Sequence, residues 1–230
     1  LVTENTKLNN NYCLIKLTTV DGSQLPEMFP GQFVQIKVEG SPNTYLRRPI
    51  SVNDVDKKKN ELWLLIQSIG EGTKAMSACL KGSVMNLVFP LGNTFTVPES
   101  KEKELLLVGG GVGIAPMLFL GSNLSSEGYK VNFLLGARSK NDLLELDEFD
   151  KYGNVYTTTE DGSHGEKGFV TNHSILKNQH FTNVYTCGPK PMMVAIAKYA
   201  RQQNSECEVS LENMMACGFG ACLCCVEKTI

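Results

Sequence analysis

The sequence lacks any long hydrophobic run and any strong excess of charge. No apolar stretch approaches the roughly 20 residues that a membrane helix needs, and no basic segment followed by an apolar one marks a secretory signal. The 22 Lys and Arg nearly balance the 24 Asp and Glu, which leaves a net charge of −2. These absences predict a cytoplasmic protein without a nucleic-acid or membrane partner.

Histidine is scarce, whereas cysteine is not. The three histidines have no metal-ligand spacing, and no Ser-His-Asp pattern or metal-hydrolase motif is present. Four of the 8 cysteines lie in "MACGFGACLCC" (215–225). Without a secretory signal, clustered cysteines predict metal binding or redox chemistry in a reducing compartment rather than a disulfide framework.

Before residue 98 the apolar pattern is typical of strands. Short alternating segments separated by turn residues predict an antiparallel β-barrel with one short helix. The predicted strands are Tyr12–Val20, Gln32–Val38, Arg48–Val52, Leu62–Ile69 and Met85–Phe89. The helix is predicted over Lys74–Leu80, capped by Thr73 and ended by Gly82.

After Pro98 buried strands alternate with helices, which predicts a parallel α/β sheet. The predicted strands are Leu105–Val108, Val131–Leu135, Val155–Thr158, Val184–Thr186 and Glu208–Leu211. The predicted helices are Pro116–Leu124, Leu143–Phe149, Phe169–Leu176 and Pro191–Gln203. With a boundary in "PESKEKE" (98–104), the predicted domains are 1–98, 99–211 and a cysteine-rich segment, 212–230.

Four glycines separate a buried strand from a helix in "LLLVGGGVGIAPM" (105–117). Glycines let a phosphate approach the backbone, and a helix start supplies N–H groups and a positive dipole. The fingerprint G-x-G-x-x-G is not satisfied, because Pro116 replaces its third glycine and Arg138 follows the second strand where a carboxylate is expected. The pattern predicts either an unusual nucleotide site or only a tight turn.

In "LRRPISV" (46–52), Pro49 interrupts strand pairing, which is predicted to leave the N–H groups of Ile50 and Ser51 available to a ligand. Downstream, Gly70–Thr73 leads into the short helix, as a second anion site would. An arginine and a helix start in one small barrel would suit a diphosphate. An edge strand with solvated arginines beside a capped helix would give the same pattern.

These motifs resemble, in order, those of the ferredoxin-reductase superfamily. The resemblance spans essentially the whole chain and includes "DGSHGEKGFVT" (161–171) and "TCGPKPMM" (186–193). Pro49 and Ile50 replace the middle of the usual Arg-x-Tyr-Ser or Arg-x-Tyr-Thr, as in one branch of the superfamily. With the cysteines added, the chain resembles the family of electron-transfer subunits of NAD-dependent dihydroorotate dehydrogenases.

The resemblance implies FAD, NAD and a [2Fe–2S] cluster as cofactors. It places the FAD diphosphate and isoalloxazine on Arg48, Pro49, Ile50 and Ser51, the flavin beside Leu65, Ile66 and Gln67, and the phosphates on Gly72 and Thr73. It places the nicotinamide nucleotide on Gly109, Gly110, Gly111, Gly113, Cys187, Gly188 and Pro189. A cysteine at a strand end, such as Cys187, is usually a small buried apolar residue. Arg138 and Lys140 could meet a 2′-phosphate, so only the resemblance favours NAD over NADP. No acid–base residue is assigned.

Cys217, Cys222 and Cys225 have the spacing C-x₄-C-x₂-C, which is the plant-type pattern for a [2Fe–2S] cluster. Zinc, which more often takes two C-x₂-C knuckles, and free thiols are the alternatives. The resemblance implies a fourth cysteine ligand, expected beyond Ile230. Cys224 is a poor substitute because it adjoins Cys225.

The resemblance implies electron transfer from a catalytic, FMN-containing dihydroorotate dehydrogenase subunit through the cluster and FAD to NAD⁺, in pyrimidine biosynthesis. That partner would dock on a surface that includes Met214–Cys225. One alternative is a related flavin/iron–sulfur subunit of an NAD(P)H:ferredoxin oxidoreductase or a sulfide dehydrogenase. Another is a redox-sensing or metal-storage module that binds no nicotinamide.

Overall fold

The computed structural model describes residues 1–227, which divide into two compact units. The first unit contains Leu1–Thr94 together with the segment that begins at Glu212. The second contains Phe95–Leu211. The cysteine segment, defined here as residues 212–227, therefore packs with the first unit. Among the described residues no helix is long and apolar enough to cross a membrane.

The first unit is built from two antiparallel sheets and one short helix. The elements are β1 (Val2–Lys7), β2 (Tyr12–Leu17), β3 (Phe33–Ile36), β4 (Arg48–Ser51), β5 (Asp54–Asp56), β6 (Glu61–Gln67), α1 (Glu71–Ser77) and β7 (Leu87–Leu91). One sheet has the order β1-β2-β6-β5 and the other β4-β3-β7. Val34 and Ile36 of β3 and Leu64 of β6 are fully buried in the core of this unit.

The second unit is a parallel six-stranded sheet with helices between its strands. The elements are β8 (Leu105–Gly110), α2 (Ile114–Ser126), β9 (Val131–Ala137), α3 (Leu146–Phe149), β10 (Asn154–Thr159), β11 (Glu166–Lys167), α4 (Ile175–Asn178), β12 (Asn183–Cys187), α5 (Lys190–Gln202) and β13 (Glu206–Ser210). Three 3₁₀ helices cover Gly111–Gly113, Lys140–Asp142 and Val170–Asn172. The strand order is β11-β10-β9-β8-β12-β13. The predicted fold class, an antiparallel β domain followed by a parallel α/β domain, is confirmed.

Several elements differ from the sequence-based predictions. The single helix predicted over Phe169–Leu176 is wrong, because His173 has a ψ of 136° and separates a 3₁₀ helix from α4. The buried His173 ring accepts the Ile175 N–H at Nδ1 (3.0 Å), which holds this break in place. The strands β1, β5 and β11 were not predicted, since β1 is largely polar and the other two are very short.

Candidate functional site

The predicted nucleotide turn, Gly109–Gly113, lies at the carboxyl end of β8. Gly109 and Gly110 end the strand, a 3₁₀ helix covers Gly111–Gly113, and α2 begins at Ile114, two residues before the predicted Pro116. Gly111 has a φ of +57°, a left-handed conformation that favours glycine. No side chain within residues 1–227 caps the first turn of α2. The backbone therefore supplies the polar groups at this helix start.

The second predicted nucleotide segment, Cys187–Pro189, lies directly against this turn. β8 and β12 are parallel neighbours in which Cys187 pairs with Gly109. A Cβ atom on Gly113 would overlap the Cys187 carbonyl and lie 2.5 Å from the Gly188 nitrogen. One on Gly188, whose φ is +146°, would lie 2.9 Å from the Gly110 oxygen. These glycines are required by close backbone approach, so the two segments form one surface.

The strand order makes this surface a crevice. β8 has β9 on one side and β12 on the other, so the chain winds outward in both directions from β8. In open α/β sheets, ligands bind at such a switch point, outside the carboxyl ends of the strands. The helices α2 and α5 both begin there, directly after the nucleotide turn and Pro189. The location suits the phosphates of a nucleotide.

A loop whose role the sequence left open lies at the neighbouring strand ends. The Lys140 N–H donates to Ser163 Oγ (2.7 Å). Ser163 in turn donates its hydroxyl and its N–H to Asp161, and these hydrogen bonds lower the pKa of that carboxyl. The "DGSHG" turn (161–165) thus holds the segment after β9 in place, where Arg138 and Lys140 are exposed. No sequence motif had connected Ser163 with Lys140.

In the first unit, the structure brings Arg48 next to the start of α1. A Cβ atom on Gly72 would lie 3.3 Å from Arg48 Nε and 3.0 Å from Thr44 Cγ2. The Arg48 guanidinium also donates to the Leu46 carbonyl (2.9 Å), which fixes the direction of this side chain. An arginine guanidinium has the donors to pair with a phosphate group. Arg48 and Gly72 are two of the residues that the resemblance assigned to the FAD phosphates.

The predicted cap of α1 is wrong. The helix begins at Glu71 after Gly70, so Thr73 lies in its first turn instead of preceding it. The Thr73 hydroxyl oxygen accepts the N–H groups of Ile69 and Gly70, both at 3.0 Å. Threonine can satisfy the entering backbone from inside the helix as well as from the cap position, and the sequence pattern does not distinguish the two.

β4 lies at the edge of its described sheet, and its four residues are all half-buried. Val52 donates its N–H to Gln32 O of the β3 side (3.1 Å). Because antiparallel hydrogen bonding alternates, the Ile50 N–H also faces β3 and the Ser51 N–H faces the open edge. Two N–H groups, those of Ile50 and Ser51, were predicted to be available to a ligand. Of these two, the Ser51 N–H is the one that faces away from β3.

β6 offers a second open edge. Its partner β5 pairs only with Glu61–Trp63, so within the described sheet the backbone of Leu65–Gln67 has no neighbour on that side. The side chains of Leu65 and Ile66 are buried in the core, whereas Gln67 is half-buried. Since β4 contacts β6, the two open edges belong to one region of the first unit. A flavin beside Leu65 or Ile66 would use their backbone groups.

The cysteine segment contains a thiol prepared for deprotonation. The Cys222 N–H donates to Cys217 Sγ (3.5 Å). This hydrogen bond is the largest cause that lowers the pKa of Cys217 to about 6. Hydrogen bonds from the Phe219 N–H and the Cys222 thiol also lower it, by smaller amounts. Gly218 and Gly220, with φ of +79° and +83°, allow the loop to turn its N–H groups toward the sulfur. A stabilised thiolate of this kind is what a metal cluster requires.

The remaining thiols are less well placed. Cys222 and Cys224 are exposed, and Cys225 is half-buried, with its carbonyl accepting from the Asn213 amide (3.0 Å). Across residues 1–227, no three His, Cys, Asp or Glu side chains are arranged around a single metal ion. A [2Fe–2S] cluster takes two ligands on each iron, so it does not need such a group. The loop around Cys217 fits a cluster ligand, and the assignment of all three cysteines stays a prediction.

Comparison with known proteins identifies the relatives of the chain. Residues 107–198 match the family model of the oxidoreductase NAD-binding domain. A dihydroorotate dehydrogenase B (NAD(+)) electron transfer subunit from Fusobacterium nucleatum is 40% identical over 206 residues, covering 86% of this chain and 78% of the relative. The subunit of the same name from Lysinibacillus sphaericus is 39% identical, covering 92% and 82%.

Solved structures agree with these relatives. The NADH-dependent reduced ferredoxin–NADP oxidoreductase, studied for flavin-based electron bifurcation, matches with a TM-score of 0.86 and 29% identity, covering 97% of this chain and 80% of that one. The cytochrome b5 reductase domain of Ulva prolifera nitrate reductase matches with a TM-score of 0.74 and 16% identity, covering 89% and 92%. The second likeness shows the fold alone.

Proposed function

The chain belongs to the family of dihydroorotate dehydrogenase B (NAD(+)) electron transfer subunits, and from that premise we propose that it delivers electrons from a catalytic dihydroorotate dehydrogenase subunit to NAD⁺. FAD and a [2Fe–2S] cluster are its proposed cofactors. The observation that carries the proposal is the crevice at the β8–β12 switch point, where the nucleotide turn meets Cys187–Pro189.

In the proposed nicotinamide site, backbone groups do most of the binding. The glycines leave no side chain between a dinucleotide and the backbone, and the starts of α2 and α5 favour its phosphates. Exposed Arg138 and Lys140 follow β9. Family membership, rather than these two cations, is the reason for proposing NAD over NADP.

In the proposed flavin site, Arg48 neutralises phosphate charge, and Gly72 lets the Arg48 side chain lie close to the start of α1. The open edges of β4 and of Leu65–Gln67 present backbone groups to the flavin. When bound, FAD exchanges two electrons with a nicotinamide as hydride and single electrons with a cluster. The residues of the chain contribute binding and orientation, and we assign none of them a proton-transfer role.

The proposed partner surface is the cysteine segment. Around its thiols the side chains of Met214, Phe219, Leu223 and Val226 are between 68% and 87% exposed. Large apolar side chains exposed together are typical of protein–protein contacts. An electron carrier held there would be accessible to a docked protein. We therefore place the catalytic, flavin-containing subunit against residues 214–226.

A second candidate function is that of a related NAD(P)H:ferredoxin oxidoreductase subunit. It is favoured by the similarity in fold and sequence to the ferredoxin–NADP oxidoreductase. In that case ferredoxin, rather than a dihydroorotate dehydrogenase subunit, would contact the cysteine segment.

An anaerobic titration with NADH tests the proposal. The chain is saturated with FAD, and the flavin absorbance is followed as NADH or NADPH is added. We expect NADH to bleach the flavin at lower concentration than NADPH does. A preference for NADPH combined with reduction of added ferredoxin would favour the second candidate, and failure of both nucleotides would refute both.

A further inference from the structure

Gln35 is a polar residue at an unexpected position. It lies in β3 between Val34 and Ile36, whose side chains are fully buried in the core. Because strand side chains alternate, Gln35 is on the opposite face, where a polar residue would normally contact water. Its side chain is nevertheless only 2% exposed. Something must therefore cover the outer face of β3 at this residue.

The cover is the cysteine segment. A Cβ atom on Gly218 would lie 2.7 Å from Gln35 Cδ and would overlap Nε2. Gly218 immediately follows Cys217, and its φ of +79° turns the loop at this contact. The amide group of Gln35 is thus in direct contact with the loop that joins Cys217 to Cys222.

The amide has an unused donor. Within residues 1–227, Gln35 Nε2 is buried and has no hydrogen-bond partner. A buried N–H₂ without an acceptor destabilises a fold, and most such groups have one. Leucine at this position would avoid that penalty. A donor kept beside a cysteine loop indicates that an acceptor occupies this space in the functional protein.

We propose that Gln35 is a positioning residue for the iron–sulfur cluster, donating a hydrogen bond from Nε2 to an anionic sulfur held by the Cys217–Cys222 loop. The proposal rests on the proposed function, because the acceptor is the cluster sulfide or a coordinated thiolate. Donors to sulfur stabilise the more negative, reduced state and so raise the reduction potential. The bond would also hold the loop on β3.

Gln35 further connects the cluster with the proposed flavin strand. Its backbone pairs with Pro49 of β4, while its carbonyl accepts from Arg47 Nη1 (3.4 Å). The residue that contacts the cysteine loop through its side chain is therefore a strand neighbour of Arg48–Ser51. A substitution at Gln35 alters only the side chain, which contacts the cysteine loop. It should therefore affect the cluster more than the proposed flavin strand.

The test compares Gln35→Leu and Gln35→Glu with a control, Gln24→Leu, at an exposed position of the same unit. Each full-length protein, loaded with iron and sulfide, is titrated with a reductant and followed by EPR. We expect Gln35→Leu to shift the one-electron reduction equilibrium about tenfold toward the oxidised cluster, or about 59 mV. Gln35→Glu, titrated at a pH where its carboxyl is ionised, replaces the donor by a negative charge and should shift it further in the same direction. Gln24→Leu should leave it unchanged.

A second measurement separates this role from simple packing. Without metal, Gln35→Leu should unfold at the same temperature as wild type or higher, since it removes an unsatisfied donor. With the cluster, it should release iron faster. Equal destabilisation of both forms, or an unchanged potential in Gln35→Leu, would overturn the proposal. A full-length wild-type protein that takes up no iron would overturn it too, whereas bleaching of FAD by NADH would still support the proposed nucleotide chemistry.

Discussion

The nucleotide turn and the cysteine segment are both glycine-rich, but Gly113 in the first and Gly220 in the second are required for different physical reasons. In the nucleotide turn, Gly113 is buried, and a Cβ atom there would overlap the backbone of the neighbouring strand end. In the cysteine segment, Gly220 is exposed with nothing within 4 Å of such an atom, and its φ of +83° is what requires glycine. Space is the constraint at Gly113 and backbone conformation at Gly220.

This difference indicates how each site is formed. Parallel pairing of β8 and β12 fixes the nucleotide crevice, so the fold alone brings its parts together. The cysteine loop is held by a few contacts, among them Gly218 on Gln35 and Asn213 on Cys225, and its thiols are not gathered around one ion in the described chain. The first site is preformed, whereas at the second the proposed cluster would have to gather the thiols.

The largest effect is expected from Cys222→Ser. Replacing a proposed thiolate ligand should reduce bound iron and sulfide to background, because a [2Fe–2S] cluster is held by its cysteine ligands. The matched control is Cys224→Ser, which alters an exposed neighbour outside the C-x₄-C-x₂-C spacing and should retain both. Colorimetric iron and sulfide assays on anaerobically prepared proteins measure this. Iron retained in Cys222→Ser would remove that residue from the ligand set.

At the nucleotide turn, Gly113→Ala should lower the rate of flavin reduction by NADH about 10²-fold, because the new methyl group forces Cys187 and Gly188 away from their positions. The φ of Gly113 is −66°, so this substitution introduces overlap without backbone strain. In contrast, Gly128→Ala introduces strain at a φ of +90° with little overlap, and should slow the reaction much less. Similar rates in the two variants would contradict the claim that close backbone approach is what requires glycine at position 113.

In the first unit, Arg48→Ala should weaken FAD binding by roughly ten- to a hundredfold, the loss of about 1.5–3 kcal/mol expected for a charge-assisted hydrogen bond. The control is Arg47→Ala, because Arg47 is already bonded to Asn86 Oδ1 (2.6 Å). Flavin fluorescence during titration gives both affinities. Equal FAD affinity in Arg48→Ala and wild type would show that Arg48 does not bind the diphosphate.

The smallest effect concerns thiol reactivity in the metal-free protein. The N–H donors that lower the pKa of Cys217 to about 6 keep it as thiolate above that pH. Burial raises the pKa of Cys207, which should stay protonated near neutrality. Alkylation by iodoacetamide, read by peptide mass spectrometry between pH 5 and 9, should be half-maximal near pH 6 at Cys217. A midpoint near pH 9 there would mean that the loop does not stabilise the thiolate.

Local patterns predicted most of the fold but few of the contacts between distant segments. Apolar runs and glycines located β8, α2 and β12, because buried parallel strands and a tight turn leave strong local signals. Alternation along β3 would have placed Gln35 in water, since nothing nearby indicates that Gly218, far along the chain, covers it. Thr73 was misplaced because a hydroxyl can bond the entering backbone from either side of a helix start.

The central claim is that this chain carries electrons between a partner subunit and NAD⁺. Formation of NADH at 340 nm from dihydroorotate and NAD⁺ tests it most directly, with the cofactor-loaded chain alone, a catalytic dihydroorotate dehydrogenase subunit alone, and the two together. We expect NADH only from the mixture. NADH formed by this chain alone, or none formed by the cluster-loaded pair, would contradict the claim.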